Sequence, residues 1–518
     1  MEVSCIFADF RRSWALLAAL PLAGCTINPV TGDRELGLVS TAEEIGIGAA
    51  QYAPSRQMQG GDYVLDPTLN TYVAEVGDRL ADVSDRALPY EFMILNSSVP
   101  NAWALPGGKI AVNRGLLLEL NSEAELAAVL GHEIVHAAAR HGAQAMQRSI
   151  ILQGALLATT VAARGDYSSL AVGAASVGAQ LINQRYGRSA ELEADLYGMT
   201  YLARAGYDPQ AAVALQETFV RLSEDRSQDW LSGLFASHPP STERVNRNRE
   251  TAAALPAGGD LGRDRYLAAT ELIRQTQPAY ETYDRGRTAL AEDRPDEAEQ
   301  LAAEAISLVP GEAQFHGLAG DADLARDRFT AAIDHFDDAI GRYDEFFYYH
   351  LQKGLAHEAL DQRELAETHL QRSLDLLPTA EAYYGLGTLA EGRGDPDTAL
   401  EHYRVAATAN SPVGQAAQDA VIRLDLPENP GGYLQLRTLL DAQGQLLVDV
   451  ANPTRVTVTD LRLVIRYVDS SGAIRQTGRG LDRTLASGET VRLASGLGPF
   501  TSANAYQVEL ESARVITE

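Results

Sequence analysis

Gly286, Gly320, Gly354 and Gly387 recur at spacings of 34, 34 and 33 residues, and Ala298, Ala332, Ala366 and Ala399 each follow twelve residues later. Small residues at two fixed places per period let paired helices cross closely, so this region is expected to stack as consecutive helix pairs. Pro310 and Pro378 fall where the second helix of two units should end, because proline cannot continue a helix. The helical segments between Asp208 and Ala254 are candidates for a further, degenerate unit. Such an array presents a concave surface to protein partners, or else it braces a neighbouring domain.

The chemistry lies upstream, in His132-Glu133-Ile134-Val135-His136. Ser122 and Glu125 stand at the positions of a capping box, with Asn121 as the alternative cap. Leu126, Val129, Leu130 and Val135 then recur at helical spacing, which puts the motif on a buried helix. Imidazoles at i and i+4 lie on one face and can reach one zinc ion, and the intervening Glu133 is placed to activate a water. A catalytic zinc also needs a third protein ligand. Glu191 is the candidate, with Asp195 one turn later positioned to receive a hydrogen bond from a ligating imidazole. Glu193 points away from both and fits a solvated acid.

The pattern His-Glu-x-x-His-x-x-x-Arg-His from His132 to His141, with Glu-x-x-x-Asp at Glu191 and Asp195, resembles the M48 metallopeptidases. Two flanking segments extend the likeness, Asn101-Ala-Trp-Ala-Leu-Pro-Gly-Gly before the motif and Ser237-His-Pro-Pro-Ser-Thr-Glu-Arg after the third ligand. With a lipoprotein-like leader and tetratricopeptide repeats, the chain is most similar to the periplasmic BepA/YfgC-like branch, over roughly residues 30 to 410. The resemblance implies a multidomain fold. Its parts are a mainly α, gluzincin-like zinc peptidase domain with a small edge sheet and an α-helical tetratricopeptide solenoid; the last eighty or so residues fall outside the resemblance and read by their own pattern as a C-terminal all-β, sandwich-like domain.

It also implies a reaction. One zinc per chain, held by His132, His136 and Glu191, would polarise a scissile carbonyl while Glu133 acts as general base and then acid. Arg140, His141 and Arg244 match the family pattern as supports of the site. His238, before Pro239-Pro240, would either stabilise the tetrahedral intermediate, occupy the open zinc position as a latch, or serve only as a cap or surface group. Asn101, Ala102 and Ala104 lie in an expected hairpin around Pro106-Gly107-Gly108 whose edge could take an extended peptide as an added strand. The alternative is a purely structural hairpin with Trp103 in the core.

Residues Phe10 to Thr26 read as a short basic region, a short apolar run and Leu22-Ala23-Gly24-Cys25, an export signal with a lipobox in which Cys25 would carry lipid. Cys5 would be removed with the leader, leaving no cysteine pair for a disulfide. Thr26 after the cysteine is compatible with sorting to the outer membrane, so the expected location is the periplasm, at the inner face of that membrane in a Gram-negative bacterium. A second apolar stretch, Ile150 to Ile182, is broken by Arg164-Gly165-Asp166, and each half is too short to span a bilayer. It reads as a helical pair near the active-site cleft, a candidate lid, or as a re-entrant insertion. With 43 basic and 70 acidic residues the net charge is −27, which argues against nucleic acid as a partner.

After Asn429-Pro430, alternating segments at 446–450, 456–468, 474–477, 490–493 and 505–511 predict a small β-sandwich or sheet without His or Cys, hence no second metal site there. The expected domains are a leader (1–24), the peptidase (25–255), the repeats (256–428) and the β domain (429–518). The expected function is hydrolysis of misfolded or misassembled envelope proteins, in partnership with the outer-membrane assembly machinery through the repeats. The competing reading is a chaperone-like assembly lipoprotein with a vestigial or latched zinc site.

Overall fold

The computed structural model describes residues 25–148, 186–225, 238–481 and 483–516. The expected leader and the apolar stretch 150–182 lie outside these residues, and Cys25 is described only as the first residue of a strand. Two compact units divide the chain, one ending at Tyr349 and one beginning at His350.

In the first unit β1 (Cys25–Ile27) pairs antiparallel with β2 (Arg34–Leu36). Helices α1 (Thr41–Met58) and α2 (Pro67–Ala81) follow, both capped, α1 by a complete capping box of Ser40 and Glu43 and α2 by Asp66 before Pro67. Strands β3 (Glu91–Leu95), β4 (Ala102–Leu105) and β5 (Lys109–Asn113) form a sheet in the order β3-β5-β4, with β4 antiparallel to β5. Gly107 and Gly108, at φ 81° and 89°, make the tight turn of the expected hairpin. Beyond it lie α3 (Arg114–Glu119), α4 (Glu123–Ala138), α5 (Arg188–Arg204), α6 (Gln210–Asp225) and α7 (Thr242–Ala254).

The helices between Asp208 and Ala254 are not a degenerate repeat. The apolar faces of α6 and α7, through Ala211, Leu215, Phe219 and Ala252, join the core that holds Leu126, Val129 and Leu130 of α4. With those faces buried against α4 and α5, no stripe remains to stack on a repeat. The same core continues through α8 (Arg263–Ala269) and α9 (Glu271–Ala291), which contribute Tyr266, Ile273 and Tyr280. Tyr266 of α8 donates its hydroxyl hydrogen to the Leu117 carbonyl at 2.6 Å and Arg274 of α9 donates to the Leu120 carbonyl at 3.0 Å, so the first helix of the array is tied to the body that carries α4.

The helix pairs are α9 with α10 (Pro295–Leu308), α11 (Ala313–Leu324) with α12 (Phe329–Ile340), α13 (Phe347–Ala359) with α14 (Arg363–Leu376), and α15 (Ala380–Gly392) with α16 (Pro396–Ala406). Ala298, Ala332, Ala366 and Ala399 are all fully buried. A methyl group on Gly320 would stand 2.7 Å from Phe336, and one on Gly387 2.5 Å from Tyr403, so the periodic glycines mark the helix crossings. Pro310 and Pro378 each lie two residues beyond a second helix, α10 and α14. Asp293, Asp327, Asp361 and Gly394 adopt left-handed backbone at the turn inside each pair, a repeating signal that the sequence reading did not use.

In the second unit α17 (Pro412–Asp425) precedes two three-stranded antiparallel sheets. They are ordered β10-β7-β6 and β11-β8-β9, from β6 (Gln435–Leu440), β7 (Leu446–Ala451), β8 (Val458–Val468), β9 (Ile474–Leu481), β10 (Thr490–Ala494) and β11 (Tyr506–Val515). Alternate residues Leu446, Val448 and Val450 of β7 meet Leu461, Leu463 and Ile465 of β8 in one core. Strand β6 was not anticipated, because its mostly exposed Gln-Leu-Arg-Thr run lacks a clear alternation.

Candidate active site

Helix α4 begins at Ser122, whose hydroxyl accepts from the Glu125 amide at 3.2 Å; the Glu125 carboxylate in turn accepts from the Asn121 amide, one residue earlier than a standard capping box. Ser122 is therefore the cap, and Asn121 only donates to the Glu125 carboxylate. Where α4 crosses α5, a methyl group on Gly131 would sit 3.2 Å from the Gly198 carbonyl, and one on Gly198 3.1 Å from the His132 amide. These two glycines let the helix axes approach closely enough for α5 carboxylates to reach α4 imidazoles. Neither was singled out from the sequence.

At that crossing one ring nitrogen each of His132, His136 and His238 and one oxygen of Glu191 lie within 4.8 Å of one another, a set able to hold a metal ion. His132 Nε2 is 3.0 Å from His136 Nε2 and 3.6 Å from Glu191 Oε2, and His136 Nε2 is 3.5 Å from Glu191 Oε1. Lone-pair donors converging this tightly in a buried volume need a cation among them, and two imidazoles with a carboxylate suit zinc and its neighbours in the transition series. Glu133 is buried, and its Oε2 has no hydrogen-bond partner. Burial raises its carboxyl above the ordinary range, against the pull of His238 and His132. A cavity of about 40 Å³ borders His132, Glu133 and His238, with room for a water molecule.

The carboxylates of α5 divide the supporting work. His132 donates Nδ1–H to Asp195 at 3.0 Å, and Arg244 grips the same carboxylate from the first turn of α7. Burial alone would raise Asp195, but the charge and hydrogen bonds of Arg244 more than offset it and hold the carboxyl low. Arg244 Nη1 also lies 3.0 Å from Glu191. Burial opposes charging of His132, yet its hydrogen bonds to Asp195 and Glu191 bring it to about 9. His136 is held well below its usual value, first by burial and then by the charge of His132.

His136 reaches a carboxylate by a longer path. Its Nδ1 is 2.9 Å from His141 Nδ1, and His141 Nε2 is 3.4 Å from Glu193 Oε1. Glu193 does point away from Glu191 and Asp195, but it is engaged, accepting also from Asn28 at 3.1 Å. His141 can turn back because Arg140 stops the helix at φ 65°, an uncommon conformation for a side chain of its size, held through contacts with Glu44, Val39 and Thr26. The Tyr186 ring stacks on His136 at 4.1 Å between centroids. Tyr186, Glu193 and Asn28 belong to the site, and no motif in the sequence marks them.

His238 sits three residues before Ser241, the cap of α7, with Nδ1 3.0 Å from Glu191 and 3.3 Å from His132 Nε2, and Nε2 3.6 Å from Glu133. Strand β4 is an edge in topology, yet Asn101, Ala102 and Ala104 are only 8%, 0% and 7% exposed. Ala102 and Ala104 face the core of α4, while Trp103 packs edge-on against Tyr52.

The description Peptidase family M48 matches residues 67–252, and Tetratricopeptide repeat matches residues 283–345 and 351–414. Metalloprotease YcaL of Escherichia coli K12 is 32% identical over 189 residues, 35% of this chain and 72% of that protein. The beta-barrel assembly-enhancing protease of the same strain is 28% identical over 379 residues, 64% of this chain and 76% of that protein. A Vibrio cholerae relative is 35% identical over 203 residues, 37% of this chain but only 40% of its own length. With the HExxH helix, the α5 carboxylate and the α7 arginine assembled around one centre, the chain belongs to peptidase family M48 and is a metalloendopeptidase carrying tetratricopeptide repeats.

Proposed function

We propose that this metalloendopeptidase uses zinc to cleave misfolded or misassembled envelope proteins, as a periplasmic lipoprotein tethered through Cys25 to the inner face of the outer membrane, where its repeats engage the assembly machinery. The observation that carries the catalytic reading is Glu133, a buried carboxylate with an unpartnered oxygen beside the ligand cluster. A purely structural metal site has no use for such a group. His132, His136 and Glu191 would hold the ion, which supplies Lewis acidity toward the scissile carbonyl and an acidified water. Glu133 accepts a proton from that water and returns it to the leaving amine. Its raised carboxyl suits both directions of transfer. Asp195 and Arg244 keep the His132 ring in the tautomer that leaves Nε2 free for the ion.

The envelope substrate is supported by the 28% identity to the Escherichia coli assembly-enhancing protease. Among the described residues no helix is long and apolar enough to cross a membrane; the anchor in this reading is lipid at Cys25, on the lipobox-like Leu22-Ala23-Gly24-Cys25. A cleft of about 610 Å³ lies within the first unit, between the repeat residues Tyr283, Gly317 and Asp321 and the segment that runs through Ser97 and Asn101 into β4. A polypeptide held there would be led to β4, whose Asn101, Ala102 and Ala104 are the candidates to pair with it.

A latched resting state is the second reading, because a ring nitrogen of His238 lies within 4.8 Å of the ligand atoms of His132, His136 and Glu191 and so could itself bind the ion. Metal content by elemental analysis, with cleavage of casein and unfolded envelope proteins by wild type, Glu133→Gln and His238→Ala, tests both readings. One zinc at this centre and a loss of about 100-fold or more in Glu133→Gln are expected, with faster turnover in His238→Ala. Equal cleavage by Glu133→Gln would overturn the mechanism, and a wild type that binds no metal and cleaves nothing would leave a repeat-bearing assembly factor.

A further inference from the structure

The second repeat carries another convergent donor set, His316 on α11 with His335 and Asp338 on α12, whose ligating atoms lie within 4.8 Å of one another. His335 and Asp338 are i and i+3 on one helix and so share a face. His316 is only 5% exposed. Its Nε2 lies 3.1 Å from the Pro310 carbonyl, which can only accept, so Nε2 carries the hydrogen and Nδ1 presents a bare lone pair. That buried Nδ1 has no hydrogen-bond partner and faces Asp338 Oδ2 at 3.8 Å, acceptor toward acceptor. A cation between the two groups would relieve that opposition.

We propose that His316, His335 and Asp338 form a second, non-catalytic site for zinc or a similar divalent transition metal, one that staples the two helices of the second repeat. Two imidazoles with one carboxylate favour such ions over calcium or magnesium, and three protein ligands leave a position for solvent. The outer contacts are those of a metal site. Pro310 fixes the His316 tautomer, Asp323 lies 3.6 Å from His335 Nε2, and Arg342 holds the other oxygen of Asp338 at 3.0 Å. Arg342 brings a positive charge close to the ion, which weakens binding and makes this the lower-affinity site of the two. Helix α11 also gives Gln314, Gly317 and Asp321 to the cleft, so occupancy would stiffen one of its walls.

The site is read by titrating the metal-stripped full chain with Zn²⁺ and measuring bound metal and melting temperature. His335 and Asp338 are 39% and 54% exposed at the side chain, so His335→Ala and Asp338→Asn should fold normally. Wild type is expected to bind two equivalents, and each variant one, with unchanged peptide cleavage. A His132→Ala/His136→Ala chain should keep one equivalent and a zinc-dependent rise in melting temperature, both abolished by adding His335→Ala. Equal stoichiometry and affinity in wild type, His335→Ala and Asp338→Asn would overturn the proposal, whether or not the catalytic centre binds metal.

Discussion

Arg244 meets Asp195 with two arms of its guanidinium, Nε 2.8 Å from Oδ2 and Nη2 2.7 Å from Oδ1, and through this carboxylate sets the orientation of His132. A lysine cannot reproduce that fork. Arg244→Lys is therefore expected to fold but to lose about 10- to 100-fold in zinc affinity, measured by competition with a chromogenic chelator. Affinity equal to wild type would show that Asp195 orients His132 unaided.

The path from His136 through His141 to Glu193 predicts a graded series. His141→Phe keeps a ring but strands the His136 Nδ1–H, and is expected to cost about tenfold or more in metal affinity. Glu193→Gln, one bond further out, should cost less. Should the order reverse, Glu193 would be acting through Asn28 on the β1–β2 hairpin instead of through His141.

Asp321, on α11, is pushed up to about 7 by burial, partly offset by its hydrogen bond from Tyr348 and by Arg287. A carboxyl raised in the folded state favours folding while it stays protonated, so its contribution is full below the ordinary range near 4 and fades as pH rises through 7. Wild type should lose melting temperature between about pH 4 and 7, and Asp321→Asn should flatten that slope. Parallel curves for the two proteins would exclude this group as the source.

Gly387→Ala should run against helix propensity. An alanine in a helix interior ordinarily gains about 1 kcal/mol over glycine, but here the new methyl group meets Tyr403 at 2.5 Å. Overpacking of about 1–3 kcal/mol is expected to win, lowering the urea midpoint. A higher midpoint would mean that Tyr403 has room to withdraw.

Much of the architecture follows from local pattern. The 34-residue period defines the helix pairs because glycine and alanine recur wherever two helices must cross, as at Gly320 against Phe336. The i, i+4 spacing of His132 and His136, and of Glu191 and Asp195, places each pair on one helical face wherever the helix is packed. Alternation in β7 and β8 likewise reports a buried sheet face, whereas β6, mostly exposed, carries no such pattern.

Which carboxylate serves which imidazole is a matter of distances between helices, and no periodicity encodes it. The sequence by itself determined the HExxH helix, the acidic helix and the repeat, since each depends on spacing within one element. Tertiary structure alone decided the close crossing at Gly131 and Gly198, the reversal at Arg140 that returns His141 to His136, and the approach of His238 to Glu191. It also made α6 and α7 walls of the catalytic body and brought His316 to Asp338 across a turn. Each of these depends on the path of the backbone between elements, where the energy of packing, summed over the whole core, overrides what any local stretch of residues prefers.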